Sequence, residues 1–151
     1  MGSDMILQTR NLIRSYLQIC SDRKMQSDIM KLEGLYTIQN IEARPEGFAA
    51  QVIIHSGHHV YDGHFPGQPV VPGVCILNIV RDLISEFSGC EQMFSNIKEC
   101  KFVSALIPVN DLYVSIEVRL QGEGSVWATV CESDRTVMKL SASLTLRNGR
   151  D

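Results

Sequence analysis

The sequence predicts an α+β protein in which an antiparallel sheet wraps around one central helix and an N-terminal helix precedes the sheet. Two stretches carry this prediction. In LYVSIEVRL, residues 112–120, apolar and polar side chains alternate without a break, which is the pattern of a strand with one buried face. From about 73 to 87, apolar residues surround the first half of a helical stretch, which is typical of a buried helix.

The first part of the chain is predicted to be a helical extension. Over residues 4–20, apolar residues recur near helical spacing, and Asp4 is placed to cap the start of the helix. The polar residues 21–28 form a connector in this interpretation. We therefore expect an extension at 1–29 and one folded domain at 30–151.

Most of the remaining elements are predicted to be strands joined by tight turns. RPEG at 44–47 is a good turn sequence between two strand patterns, which predicts a hairpin. Turns at 122–124 and 133–135 separate the last three strands, and such short connections predict an antiparallel meander. The expected strands are 35–43, 48–56, 97–106, 112–120, 125–132 and 139–147.

The central helix combines an apolar start with one polar stripe. Because Val74 and Leu77 accompany the other apolar residues of the first half, we expect that half to be buried on all sides. The polar residues recur at i, i+3, i+4 and i+7 and so share one face; they are Asn78, Arg81, Asp82 and Ser85.

Composition excludes several classes of protein. A chain of 151 residues with 44% apolar and 21% charged residues is long enough for one domain with a core. The formal net charge of −3 argues against nucleic acid as the main partner. No apolar run approaches the ~18 residues of a transmembrane helix, and no secretory signal is evident. The 5 cysteines share no CxxC spacing, which favours a reducing cytoplasm.

The most informative stretch is YDGHFPGQPVVPGVCILNIVRDL, residues 61–83. It combines a histidine, which titrates near neutral pH, with prolines that restrict the loop and a glycine, Gly73, at the predicted helix start. A loop restricted in this way positions a base before a substrate arrives. The alternative is a tight loop around a buried, hydrogen-bonded histidine without a catalytic role.

HFPGQPVVPGV, residues 64–74, resembles the signature of the hot-dog-fold 3-hydroxyacyl-(acyl carrier protein) dehydratases of fatty acid synthesis. KFVSALIPVNDLYVSIEV, residues 101–118, is similar to the family's strands on either side of a Pro-Gly-Asp-like turn. The resemblance covers roughly residues 32–147. It implies a hot-dog fold, an acyl carrier protein as partner, a dimer with sites between subunits, and no metal or other cofactor. The implied reaction converts a 3-hydroxyacyl thioester to the trans-2-enoyl thioester.

The resemblance also implies the roles of particular residues. His64 is the expected base, since the reaction needs a group that titrates near pH 7. Backbone N–H groups at the helix start, at Gly73, are expected to stabilise the negative charge on the thioester oxygen. The residues expected to bind substrate are Phe65, Pro66, Gly67, Val74 and Leu77.

The chain departs from the family pattern on the central helix. The family carries Glu or Asp fourteen residues after the motif histidine, on the helix of the partner subunit, and this position is Asn78, whose amide cannot replace a carboxylic acid. The family's Gln four residues later is Asp82 here. Three hypotheses follow: His64 shuttles the proton alone, Asp82 supplies the acid, or the site binds acyl chains without converting them. We favour Asp82 as an ordinary charged residue of the polar stripe.

Other functions stay open at this stage. Loss of the carboxylate favours a non-catalytic subunit that binds the carrier and pairs with an active homologue, and an acyl thioesterase is a further alternative. A zinc site would use His58, Asp62 and His64, but no second carboxylate or cysteine stands at ligand spacing, so no metal is expected. Tyr113 and Trp127 are expected to pack on the faces of the sheet.

Overall fold

The computed structural model of the protein describes residues 34–62, 69–122 and 124–146. Within these ranges the chain forms six strands, one α-helix and one short 3-10 turn at His59–Tyr61. The elements are β1 (Tyr36–Arg44), β2 (Gly47–Ile54), α1 (Gly73–Ser88), β3 (Gln92–Phe102), β4 (Leu112–Gln121), β5 (Ser125–Glu132) and β6 (Arg135–Leu146). The predicted helix at 4–20 lies outside the described residues.

The strands form one antiparallel sheet in the order β1-β2-β4-β5-β6-β3. Arg44 pairs with Gly47, so the predicted hairpin between β1 and β2 is confirmed with Pro45 and Glu46 at its turn. Consecutive pairing of β4, β5 and β6 confirms the meander. The sheet ends at β1 on one side and at β3 on the other, so each of these strands has one neighbour among the described strands.

The core lies between the sheet and α1. On β4, Leu112, Val114, Ile116 and Val118 are buried and the residues between them are exposed, as the alternation predicts. The helix contributes residues three and four apart, which fall on one face. These buried helix residues are Cys75, Ile76, Ile79, Val80, Leu83 and Ile84. The prediction of one helix packed on an antiparallel sheet is therefore confirmed.

The prediction that the first half of the helix is buried on all sides is wrong for the described chain. Val74 is 58% exposed, and Leu77 and Asn78 are half-buried. The buried residues already occupy the whole face that meets the sheet, so Val74 falls on the side of the helix that no described element covers. An apolar residue in an all-apolar stretch therefore does not reveal which side it occupies.

The boundaries of two strands also differ from the prediction. β3 runs from Gln92 to Phe102 rather than over 97–106, because this edge strand is exposed over most of its length and two register shifts break its alternation. Leu106 is fully buried although it lies after the strand, which explains why the sequence around it resembles a strand. β6 begins at Arg135, four residues before the predicted start at Lys139.

The described cysteines, Cys75, Cys90, Cys100 and Cys131, form no disulfide. No helix within the described ranges is both long and apolar enough to cross a membrane.

Leu83→Ala tests the packing of the helix on the sheet. Leu83 is fully buried, so its truncation leaves a cavity, and we expect the free energy of unfolding to fall by about 2–5 kcal/mol in chemical denaturation. Glu86→Ala on the exposed side of the same helix is the control and should change stability by no more than about 0.5 kcal/mol. Equal effects of the two substitutions would contradict the packing.

Candidate active site at the start of the central helix

The N-terminus of α1 carries no side-chain cap. Pro72 is the capping residue, with extended backbone angles of φ −61° and ψ 143°, and its carbonyl accepts hydrogen bonds from the N–H groups of Cys75 (3.0 Å) and Ile76 (3.3 Å). No hydrogen bond joins the N–H groups of Gly73 or Val74 to another described residue. These two donors, at the positive end of the helix dipole, are suited to bind an oxygen atom that gains negative charge.

Gly73 lies directly against the ring of Phe102. A β-carbon built on Gly73 would stand 2.7 Å from the Cζ atom of Phe102, closer than such atoms approach in proteins. Phe102 is the last residue of β3, and its side chain is about half exposed. An aromatic ring therefore lies where a side chain at position 73 would stand.

The other predicted helix residues are spread along α1. Val74 is exposed in the first turn, and Leu77 is half-buried against the core. Asn78 is half-buried, ~7.5 Å along the helix axis from Gly73 at 1.5 Å per residue. Asp82 is ~13.5 Å from Gly73 by the same measure. The structure therefore groups Gly73, Val74, Leu77 and Asn78 and leaves Asp82 more than one turn away.

Asp82 has a partner on the edge strand β1. The hydroxyl of Tyr36 donates a hydrogen bond to Oδ2 of Asp82 at 2.8 Å, and Nη2 of Arg81 lies 3.7 Å from Oδ1. Burial raises the pKa of Tyr36 above its ordinary value, and the charge of Asp82 and the hydrogen bond raise it further, so the hydroxyl remains a donor. The two residues joined by this bond are 46 positions apart in the sequence, so no local sequence pattern predicts it.

The motif loop itself is described only at its two ends. Residues 63–68 lie outside the described residues, so the placement and roles of His64, Phe65, Pro66 and Gly67 stay predictions.

Before this gap, the hydroxyl of the buried Tyr61 donates to the carbonyl of His55 at 2.9 Å, and burial raises the pKa of Tyr61 to about 12. After it, the N–H of Val71 donates to the carbonyl of Leu106 at 2.9 Å. Both ends of the loop are thus held by hydrogen bonds.

A polar cluster lies just after the end of β2. His55 directly follows β2, with Nε2 2.7 Å from Oγ1 of Thr37 and Nδ1 3.4 Å from Oδ2 of Asp111. The N–H of Ser56 donates to Oδ1 of Asp111 at 2.9 Å. That backbone donor, with a smaller contribution from His55, holds the pKa of Asp111 below its ordinary value. The cluster joins β1, β2 and the segment that leads into β4.

The remaining histidines have local roles. Nδ1 of His58 accepts a hydrogen bond from the N–H of Val60 at 2.9 Å, and the His58 ring stacks on His59 with centroids 4.3 Å apart. Over the ranges that the structure describes, no three His, Cys, Asp or Glu side chains are grouped to hold a metal ion. Of the three residues named for a zinc site, His58 and Asp62 are described and His64 is not.

Tyr113 and Trp127 lie on strands and are substantially exposed, at 64% and 42%. They are therefore surface residues of the sheet in the described chain.

Comparison with known proteins places these features in a family. The family model ApeI-like, described as ApeI dehydratase, matches residues 40–141. Two curated relatives are 3-hydroxyacyl-(acyl-carrier-protein) dehydratases named FabZ. That of Clostridium botulinum is 31% identical over 52% of this chain and 60% of its own length. That of Bacillus pumilus is 34% identical over 50% of this chain and 64% of its own length. The chain thus spans less than two thirds of these relatives.

Solved structures share the fold at low sequence identity. The dehydratase heterocomplex ApeI:P from Xenorhabdus doucetiae matches with a TM-score of 0.59 and 23% identity, over 78% of this chain and 100% of that one. The protein smu.793 from Streptococcus mutans, bound to acetyl CoA, matches with a TM-score of 0.55 and 13% identity, over 83% and 98%. These neighbours confirm the expected hot-dog fold. Since the family model covers more than half of its residues, the chain belongs to the ApeI-like dehydratase family.

Proposed function

We propose that this protein removes water from a 3-hydroxyacyl thioester carried on an acyl carrier protein and releases the trans-2-enoyl thioester, in fatty acid or related acyl-chain synthesis. The observation that carries the proposal is the match of the dehydratase family model to residues 40–141, a range that includes the motif and all of α1. The curated relatives named for this reaction support the same substrate class.

The reaction has two chemical needs that this chain can supply. A base must take a proton from the α-carbon, and we assign this role to His64 because histidine is the side chain that ordinarily titrates near neutral pH. Negative charge on the thioester oxygen must be stabilised, and the N–H groups of Gly73 and Val74 at the uncapped start of α1 are suited to it. Phe65, Pro66, Gly67, Val74 and Leu77 form the surrounding substrate-binding surface in this proposal.

His64 carries the proton through both steps in our proposal. It takes the α-proton, the bond between the β-carbon and the hydroxyl oxygen breaks, and the imidazolium returns the proton to that oxygen, so that water leaves. Asn78 cannot act as the acid, but its amide is able to hydrogen-bond the hydroxyl and orient it. Asp82 is unsuited to the acid role because it lies farther along the helix and already accepts the hydrogen bond of Tyr36.

A second candidate function rests on Asn78. Without a helix carboxylate, the chain is a candidate for a non-catalytic subunit that pairs with an active homologue, and the fold neighbour from Xenorhabdus doucetiae is itself a heterocomplex. The two functions differ in one observable, because this second role requires that the purified chain alone has no dehydratase activity. In either case we propose that residues 1–29 are a helical extension and that 30–151 is the folded domain.

The oligomer we propose is a dimer in which two sheets join at their edges. β3 has one neighbour among the described strands, and it exposes Met93 and Ile97 at 38% and 43%. An unpaired sheet edge that exposes apolar side chains is suited to pair with a second copy. This makes β3 the stronger choice of edge.

His64→Ala tests the base. In a single-turnover assay with 3-hydroxyacyl carrier protein, we expect the rate to fall by about 10²–10⁴-fold, which is the usual contribution of a general base. His59→Ala is the matched control, since this exposed histidine belongs to the preceding turn, and its rate should stay near wild type. A wild-type rate in His64→Ala removes this residue from the mechanism. Activity that appears only when a homologue is added favours the second function.

Asn78→Glu and Asp82→Asn separate the possible positions of the acid. We expect Asn78→Glu to raise the rate by at least about tenfold, because it restores a proton donor beside the leaving hydroxyl. Asp82→Asn should leave the rate within about threefold and lower stability by about 1 kcal/mol, because Tyr36 loses a charged acceptor that is only partly buried.

Thermal melts must accompany these kinetics, since a half-buried Glu at position 78 has its own stability cost. A loss of activity by orders of magnitude in Asp82→Asn, with an unchanged melting temperature, would show that Asp82 is the acid.

Ile97→Lys tests the dimer. Sedimentation velocity should give a dimer for wild type at micromolar concentration and a monomer for Ile97→Lys, since a charge in a closed apolar edge is unfavourable. Tyr113→Lys, an exposed residue on an interior strand of the sheet, should leave the dimer intact. A monomeric wild type contradicts the proposal.

A further inference from the structure

The ring of Phe102 is in an unusual position for a large apolar side chain. It is 49% exposed and is not among the partly buried apolar residues that pack against the core. Its tip points at the helix start, where Cζ and both Cε atoms are the nearest atoms to the β-carbon that Gly73 lacks, at 2.7, 3.1 and 3.1 Å. A ring outside the core therefore touches the residue to which the proposed function assigns oxyanion stabilisation.

The surroundings of Phe102 allow its ring to move. β3 is an edge strand, and Phe102 is its last residue, paired with Met138 of β6. The next residue, Val103, is 59% exposed, and its N–H donates to the carbonyl of Val137 at 2.8 Å. The backbone is thus held on one side by β6, while half of the ring surface faces solvent. Rotation of this side chain breaks no hydrogen bond.

Under the proposed function, the ring of Phe102 and the acyl thioester both require the space beside Gly73. An acyl thioester that reaches the N–H groups of the first turn has to come close to Gly73, and the ring occupies one side of that residue. A ring that is half exposed to solvent loses less packing when it is displaced than a buried ring does.

We propose that Phe102 is a displaceable cover over Gly73 and determines how readily an acyl thioester enters the site. This inference rests on the proposed function and adds a residue that controls substrate access. In the free protein the ring closes the side of the helix start. When substrate binds, the ring rotates away from the helix start. The cover acts on binding and takes no part in the proton transfers.

The test compares Phe102→Ala with Val103→Ala, a neighbouring exposed apolar residue, as the matched control. The probes are trans-2-butenoyl pantetheine for binding, by calorimetry, and 3-hydroxybutyryl pantetheine for turnover. If the ring covers the site in about nine molecules of ten, its removal tightens the apparent Kd about tenfold. We expect Phe102→Ala to lower both Kd and KM with kcat within about twofold, and Val103→Ala to leave all three unchanged.

The outcomes separate this inference from the proposed function. An unchanged or higher Kd in Phe102→Ala overturns the cover, even where turnover supports the dehydratase. Binding that tightens in Phe102→Ala without turnover by any variant supports the cover and overturns catalysis by this chain alone. Failure of every variant to bind the pantetheine thioester at millimolar concentration overturns both.

A stability measurement checks the contact without a substrate. Gly73→Ala should cost more stability in the wild-type background than in the Phe102→Ala background, because only in the former does the new methyl group displace the ring. If Gly73→Ala lowers stability equally in both backgrounds, the ring of Phe102 does not oppose a side chain at position 73. That result would reject the proposal that Phe102 covers Gly73.

Discussion

The burial of one face of α1 against the sheet is the constraint on which the rest of the structure depends. Residues such as Ile79 and Leu83 are almost completely buried, and each buried side chain of this kind contributes about 1.5–3 kcal/mol relative to exposure. This packing leaves the helix little freedom to rotate. It therefore decides that the helix start emerges beside Phe102 and Leu106, and that the polar stripe faces away from the core.

Two polar residues of that stripe, Asp82 and Asn78, differ in their hydrogen bonds. Asp82 accepts a hydrogen bond from the hydroxyl of Tyr36, the first residue of the edge strand β1. This bond links the central helix to a strand that has only one described neighbour. Asn78, one turn closer to the helix start, forms no hydrogen bond with the described residues. The carboxylate at 82 thus has a structural reason to be there, which is independent of whether an acid is needed at 78.

The sequence predicted the elements whose cause is local and missed those whose cause is distant. The unbroken alternation of β4 and the RPEG turn at 44–47 predicted the strand and the hairpin correctly. The start of β3 was missed because an exposed edge strand with register shifts has no apolar period to detect. Burial of Leu106 outside a strand had the opposite effect and extended the predicted strand too far.

The candidate site follows the same division. A motif of prolines and glycines indicated the helix start at Gly73, where α1 does begin. The contact of Gly73 with Phe102, the bond of Tyr36 to Asp82 and the His55–Asp111 cluster each join residues far apart in the chain, so no spacing rule reveals them. Sequence periodicity cannot predict contacts between side chains that come together only in the folded sheet.

The contact between Gly73 and Phe102 has a consequence for how such sequences diverge. A methyl group at 73 and the ring at 102 compete for the same volume, so a change at one position alters the cost of a change at the other. Among relatives, the two positions should covary: a large ring should accompany glycine, and a bulkier helix start should accompany a small residue at the end of the edge strand. Under the proposed function, selection on acyl-group preference would then act on both positions together, although they are far apart in the sequence.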